Sequence, residues 1–322
     1  MVKPLSSPAF LFPGQGSQYP WMALDLFEAG GTEVKKLFTL ASLVMGQDMK
    51  MLLEQADAQT LQRTDIAQVA LTLANLAAAA FLREHGCVPQ TVAGFSLGEY
   101  AALETAGVIS SGDCFSLVKI RGKAMQDAVD SRESEDAPGM AAVIGLSPEK
   151  VEALVAEWTG AGLTELYCAN FNSPRQTVIA GTAEALRKAA ERFKEAGARR
   201  FIPLKVAGPF HSPLIAQAAE LFGPALEAVH FNDPLIPLYS NVSGKAVSSG
   251  NEAKALALQH ITSPVRWTVE EQAITTAGTI DGVLETGPGT VLRGLWKESG
   301  SPLPCYAAGT VADSAALPLF NT

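Results

Sequence analysis

Residues 91–103, TVAGFSLGEYAAL, constrain the fold of this chain more than any other stretch. A short apolar run leads into Gly94-Phe95-Ser96-Leu97-Gly98, and an alanine-rich helical pattern follows at once. A G-x-S-x-G spacing between a strand and a helix fits a sharp, strained turn that lifts the serine oxygen above a sheet. The flanking glycines remove side chains that would clash at such a turn. The N–H of Leu97 then points towards a developing oxyanion, near the positive end of the following helix. A plainer alternative is a small residue at a tight βα turn. The strand before Ser96 and the helix after it favour a nucleophile.

A pattern of buried strands and helices surrounds this turn. PAFLFPGQG reads as a short strand ending in a Pro-Gly turn, with helical patterns over 20–56 and a long apolar helix over 66–84. SGDCFSLVKIRGKAMQDAV is a helix with Asp113 near its start. The polar run DSRESEDAPG then reads as a linker. Beyond it the order becomes strand (MAAVIGL), helix (SPEKVEALVAEW), strand (LYCANF), strand (QTVIAG), helix (TAEALRKAAERFKEAG), strand (RRFIPLKV). Ser147 and Thr182 are the expected helix caps, and Pro148 suits a first turn. This β-α-β-β-α-β order is the ferredoxin-like pattern and predicts a compact unit inserted into a larger α/β fold. From 209 onward the larger pattern resumes, with helices near 213–228, 252–261 and 268–277. Strands are expected in LIPLYSN and GVLETG, and a helix after the Gly-Pro-Gly turn at 287–289. The tail after 311 has no strong pattern.

A serine nucleophile needs a base, and the chain holds four histidines. His85 and His230 sit at helix ends and read as solvated or capping residues; His260 lies near another helix end. His211, in KVAGPFHSPL, lies on the loop leaving the last strand of the inserted unit, where α/β folds gather catalytic groups. No carboxylate is marked by spacing as its orienting partner. Asp233 and Asp281 remain by elimination, and a backbone carbonyl could serve instead. FPGQGSQ is a second glycine-rich turn. It lacks the G-x-x-x-x-G-K-[ST] spacing of a phosphate loop, and the N–H of Gln15 fits better as a second oxyanion donor. Arg121 stands in an apolar helical pattern. It is either a surface or intrahelically paired arginine, or a bidentate clamp for a substrate carboxylate.

Several function classes are disfavoured. A net charge of −9 without a Lys/Arg-rich run argues against a nucleic-acid surface. The N-terminus does not read as a signal peptide. The 66–84 stretch carries Gln68 and Asn75 and reads as a buried helix rather than a membrane span. The four cysteines (Cys87, Cys114, Cys168, Cys305) form no CxxC pair and read as reduced thiols of a cytoplasmic chain, with no metal site expected.

Taken together and in order, FPGQGSQ, GFSLGEYAAL, IRGKAMQ, GMAAVIGL, NFNSPRQTVIAG, GPFHSPL, NV, TSPVRW and ETGPGTVL resemble the malonyl-CoA:acyl-carrier-protein transacylases, and are similar to the acyltransferase domains of polyketide synthases. The resemblance runs from about residue 9 to 297. It implies a hydrolase-like α/β core with an inserted ferredoxin-like (βαββαβ) subdomain, which we place at 1–137 and 206–322 for the core and 138–205 for the insert. It implies a ping-pong reaction in which Ser96 takes malonyl from malonyl-CoA and passes it to the phosphopantetheine thiol of acyl carrier protein, without a cofactor. By the same resemblance His211 is the base, oriented by a main-chain carbonyl. Gln15 and Leu97 are the oxyanion donors, Arg121 grips the malonyl carboxylate, and Gln68 lines the acyl pocket. Phe95 stands where many members have histidine, and Trp21 replaces a common glycine; His260 aligns with a glutamine and is expected among the substrate-binding residues, the change being tolerable if only its backbone carbonyl is used. Lys205, Arg199 and Arg200 are candidates for a basic patch facing the carrier's acidic helix. With no large apolar seam in the sequence, a monomer is expected.

Overall fold

The computed structural model describes residues 5–131, 137–206 and 208–318. The linker expected within 130–139 therefore lies partly outside the described residues, as does position 207 on the loop ahead of His211. Eight strands are present among the described residues: β1 (Pro8–Phe12), β2 (Thr91–Gly94), β3 (Gly139–Ile144), β4 (Leu166–Ser173), β5 (Gln176–Gly181), β6 (Arg200–Pro203), β7 (Gly282–Glu285) and β8 (Cys305–Ala307). They form two four-stranded sheets, β2-β1-β7-β8 and β4-β5-β3-β6. Every pairing in the first is parallel and every pairing in the second antiparallel.

The parallel sheet is buried on both faces, which is why its strands read as unbroken apolar runs. Phe10 and Phe12 of β1 enter a core shared with helix Thr64–Glu84. Ala9 and Leu11, pointing the other way, meet Trp267 and Trp296. Helix Thr64–Glu84 is long and apolar enough to cross a membrane, yet 89% of its apolar window is packed inside the protein. Gln68 and Asn75 are wholly buried on it, and Asn75 donates to the Pro13 carbonyl at 2.9 Å.

The second sheet has the ferredoxin-like order, with helices Pro148–Gly160 and Ala183–Glu195 on one face around Trp158 and Phe193. Ser147 and Thr182 cap these helices as expected, accepting from Lys150 and Ala185 N–H groups. The two sheets are tied at β4. Val265 donates to Ala169 at 2.9 Å and accepts from Phe171 at 2.8 Å, so β4 is bonded to the segment that follows His260.

Three sequence expectations change. The strand expected in LIPLYSN is reduced to two isolated bridges, Val92 to Leu238 in parallel and Tyr239 to Ala246 in antiparallel, because Pro237 has no N–H to extend the ladder on β2. The helical stretch over 20–56 is broken into Leu24–Ala29, Thr32–Met45 and Met49–Gln55 by glycines and by the Asp48 cap. A three-residue strand, β8, and a short helix, Val311–Ala315, occupy a region without legible periodicity.

Candidate active site

Ser96 sits between the end of β2 and helix Gly98–Thr105 with φ 51°. That is the left-handed region, which holds a non-glycine residue at a strain of order 1–3 kcal/mol. The two motif glycines make the turn possible. A Cβ on Gly94 would collide with the Gly98 main chain, and one on Gly98 with the Phe12 carbonyl. The turn is fastened to the sheet by the Phe95 N–H, which donates to Phe12 at 2.9 Å.

His211 is also left-handed, with φ 57°, in the loop before the short 3-10 turn Pro213–Ile215. Its Nε2 lies 2.7 Å from Ser96 Oγ, and its Nδ1 lies 3.0 Å from the His260 carbonyl oxygen. A carbonyl only accepts, so Nδ1 carries the hydrogen and Nε2 is left to accept from the serine hydroxyl. Burial, with the Arg121 charge nearby, pushes the imidazole down to about 4. It is neutral at pH 7, the form a base requires.

The carbonyl alternative thus replaces both elimination candidates. Asp233 accepts from Gly250 N–H, and Asp281 from the main chain and hydroxyl of Ser6 and the main chain of Ser7; neither bonds His211. His85 caps its own helix through Phe81, and His230 is exposed.

A cleft of about 340 Å³ opens over the pair. Ser96, His211, Gln15, Phe95 and Arg121 line it from the parallel-sheet side, and Met140, Asn170, Asn172, Val178 and Leu204 from the small sheet. Glycine again explains how the oxyanion-side loop approaches: a Cβ on Gly14 would strike the Phe95 carbonyl. Gln15, which follows it, lines the cleft. Among the described residues, neither the Gln15 nor the Leu97 main-chain N–H donates a hydrogen bond, and Leu97 begins helix Gly98–Thr105.

Arg121 projects from helix Ser111–Asp130 and is 1% exposed. Its Nη1 donates to Gln68 Oε1 at 2.9 Å, and its carbon centre lies 5.5 Å from the Tyr100 ring. Among the described residues its Nε and Nη2 have no partner. A buried guanidinium with two free donors and no carboxylate on it is costly, so the site is electrically incomplete without an anion. Gln68 lies on Arg121 and Met125 rather than among the cleft-lining residues. His260 is likewise absent from the lining. Its ring packs tilted on His211 at 4.9 Å, and only its carbonyl bonds that residue. Lys205 lines the cleft, and Arg199 and Arg200 are exposed nearby in the chain. Trp21 is exposed with φ 70°.

The small-sheet half of the cleft is built from stretches that carry the resemblance, GMAAVIGL and NFNSPRQTVIAG, but no residue in them was singled out as a site residue. Met140, Asn170 and Asn172 are ordinary strand residues until the fold turns them over Ser96. Among the described residues there is no cluster of three or more metal-ligating side chains. The four cysteines are free; burial raises the Cys87 thiol to about 11 and the Cys168 thiol to about 12, which keeps both protonated and unreactive.

The whole chain is similar to known proteins. The malonyl CoA-acyl carrier protein transacylase of Haemophilus influenzae is 40% identical, over 97% of this chain and 98% of its own. The crystal structure of an acyl carrier protein S-malonyltransferase from Vibrio cholerae superimposes with a TM-score of 0.89 at 37% identity, covering 97% of this chain and 99% of that one. A malonyl-transacylase solved in complex with its type II polyketide acyl-carrier protein superimposes with a TM-score of 0.88 at 38% identity, covering 96% and 98%. Residues 9–300 match the family described as the acyl transferase domain, and the chain belongs to that family.

Proposed function

We propose that this protein moves the malonyl group from malonyl-CoA to the phosphopantetheine thiol of an acyl carrier protein, through a malonyl ester on Ser96. The observation that carries the reading is a single cleft holding both a serine hydroxyl 2.7 Å from a neutral imidazole and a buried guanidinium with two unused donors. The first is acyl-transfer chemistry. The second selects an acyl group that ends in a carboxylate.

In the first half-reaction Ser96 Oγ attacks the thioester carbonyl and its proton passes to His211 Nε2. The His211 imidazolium is stabilised by the His260 carbonyl on Nδ1. The negative charge on the tetrahedral oxygen is met by the N–H groups of Gln15 and Leu97. The C–S bond then breaks, and the departing thiolate takes the proton from His211. In the second half-reaction the carrier's thiol gives its proton to His211 and its sulfur attacks the ester. The C–Oγ bond breaks and Oγ recovers the proton. No oxidant, metal or cofactor enters this balance. Arg121 holds the malonyl carboxylate throughout, with Gln68 fixing the plane of the guanidinium. Holding the acyl group in one orientation supplies the proximity that the attack needs.

The same reading has the protein act as a cytoplasmic monomer, with Lys205, Arg199 and Arg200 facing the carrier's acidic helix. The carrier belongs to fatty-acid biosynthesis; the similarity to a transacylase bound to a polyketide carrier makes a polyketide carrier the alternative. The test is an intact-mass measurement after brief exposure to malonyl-CoA, followed by holo carrier protein. A malonyl adduct on Ser96 that moves to the carrier is the expected result. Free coenzyme A with neither adduct nor loaded carrier would make water the acceptor and overturn it.

A further inference from the structure

Behind Ser96 lies a cluster of buried polar side chains that no step above uses. Asn241 follows the Leu238 bridge and is wholly buried. Its Oδ1 accepts from the Ser96 N–H at 2.6 Å. Its Nδ2 donates to the Gly94 carbonyl at 2.7 Å and to the Glu270 carboxyl oxygens at 2.8 and 3.1 Å. Its own main-chain N–H donates to Glu99 Oε2 at 2.8 Å. Glu99 Oε2 also lies 3.8 Å from Nδ1 of His260, whose carbonyl orients His211. Glu99 and Glu270 are 4% and 0% exposed.

We propose that Asn241 is the positioning residue that holds Ser96 in its left-handed conformation, with Glu270 and Glu99 fixing the amide and main chain of Asn241. The proposal rests on the reading of Ser96 as the nucleophile. The chemistry of the turn explains the residue type. Besides the Leu97 N–H, which faces the oxyanion, the turn leaves a main-chain donor at Ser96 and a main-chain acceptor at Gly94, two residues apart. A side-chain amide offers an acceptor and a donor from one planar group, whereas a carboxylate offers only acceptors and a hydroxyl is too short to reach both. Contact with both Glu270 oxygens leaves the amide one orientation, and such bonds stiffen one another where water is excluded. Without Asn241, the Ser96 N–H and the Gly94 carbonyl would be left unpaired. Ser96 would then relax towards ordinary φ values, carrying Oγ away from His211 Nε2. Glu99 bonds the Asn241 main chain, and its other neighbour, the neutral His260 ring, lies 3.8 Å away without a hydrogen bond.

Burial raises the Glu270 carboxyl well above its ordinary range, Glu99 adding to the effect, and brings the Glu99 carboxyl up to about 7. Two carboxyls are thus kept in the interior where neither ionises readily. That arrangement suits hydrogen-bonding partners of one amide better than it suits stability.

The test compares the parent, Asn241→Asp, Asn241→Ala and Glu270→Gln in the full chain. The readouts are the single-turnover rate of Ser96 malonylation at saturating malonyl-CoA, the KM for malonyl-CoA, the rate of Ser96 labelling by phenylmethylsulfonyl fluoride, and circular dichroism. Asn241→Asp keeps the shape and the Oδ1 acceptor but turns the donor facing Gly94 and Glu270 into an acceptor. It should lose about 10²-fold in the acylation rate, the scale of a displaced reacting group. KM should change less than about threefold, because Arg121 is untouched, and sulfonyl labelling should slow in parallel. Glu270→Gln keeps one acceptor for Nδ2 and should lose less than Asn241→Asp. A folded Asn241→Ala or Asn241→Asp that acylates at the parental rate overturns the proposal. So does a variant whose loss lies in KM alone. If Asn241→Ala does not fold, the isosteric Asn241→Asp decides the matter. A parent that takes up malonyl at another residue instead sinks the nucleophile reading, a distinct outcome visible before any variant is compared.

Discussion

At one end of the cleft the polar atoms of the Ser96–His211 pair are bonded: Ser96 N–H to Asn241, its carbonyl to the Glu99 N–H, its hydroxyl to His211, and the far side of His211 to the His260 carbonyl. At the other end Arg121 is as deeply buried, with one donor on Gln68 and two nitrogens unpaired. At the reacting end the serine and its base are bonded before substrate arrives, with only the Gln15 and Leu97 N–H groups open; at the selecting end a buried charge is left unpaired. The difference is what an acyl transferase with a charged acyl group requires. Geometry must be in place in advance at the bond being broken, while affinity for the anion comes from a cation with no carboxylate in contact among the described residues.

The largest effect should come from Ser96→Ala. It should abolish malonyl loading, a loss of at least about 10⁴-fold, and persistent covalent adduct in that variant would break the assignment. Arg121→Met should separate the two ends. Malonyl loading should fall about 10²-fold, as for removal of one partner of a buried charge pair, while acetyl loading is spared or improved. The ligand-free protein should also melt higher, since an unpaired interior charge is replaced by an apolar chain. Equal loss of both acyl groups, or a lower melting temperature, would make Arg121 structural instead.

The pH profile sharpens the contrast further. His211 is held at about 4 in the folded protein, below the ordinary 6.5. Malonyl loading should therefore stay level from pH 7.5 to about 5 and decline only near pH 4, where Nε2 becomes protonated. An acid limb near 6.5 in initial rates that persists in Glu99→Gln, which removes the carboxyl raised to about 7, would show a solvated imidazole. The same depression acts on stability. It is fully present above pH 6.5 and is lost as pH falls towards 4, because the unfolded chain binds the proton first. The profile is best taken by pH jump from neutral stocks. Phe95→His should have the smallest effect. Phe95 meets Trp267 edge-on at 5.4 Å, an interaction worth about 0.5–1.5 kcal/mol. A modest drop in melting temperature with loading changed less than about threefold is expected; a change of ten times or more would place Phe95 in acyl selection.

Much of this molecule was legible in the sequence where local geometry leaves a local mark. The Gly94-x-Ser96-x-Gly98 spacing announced the turn, because a left-handed serine between two crossing backbones tolerates no side chain beside it. The ferredoxin-like order was readable from caps and alternating strands. Ser147, Pro148 and Thr182 did what their positions imply. The LIPLYSN segment was misread as a strand because its apolar run outweighed Pro237, and β8 was missed because three residues carry no period. Ser96, His211, Arg121 and Gln15, each singled out by its local setting, line one cleft, whereas Gln68 lies on Arg121 and His260 contributes a carbonyl.

What the sequence determined by itself was the menu of elements and the residue types able to do acyl transfer. Only the tertiary structure decided which partners they have. His211 is oriented by a carbonyl, which any residue possesses and no pattern marks. Asn241, Glu99 and Glu270 meet behind Ser96 from positions up to 171 residues apart in the chain. Hydrogen bonding and burial act over a few ångströms of space, and distances along the chain between Glu99 and Glu270 carry no trace of them until the fold is made.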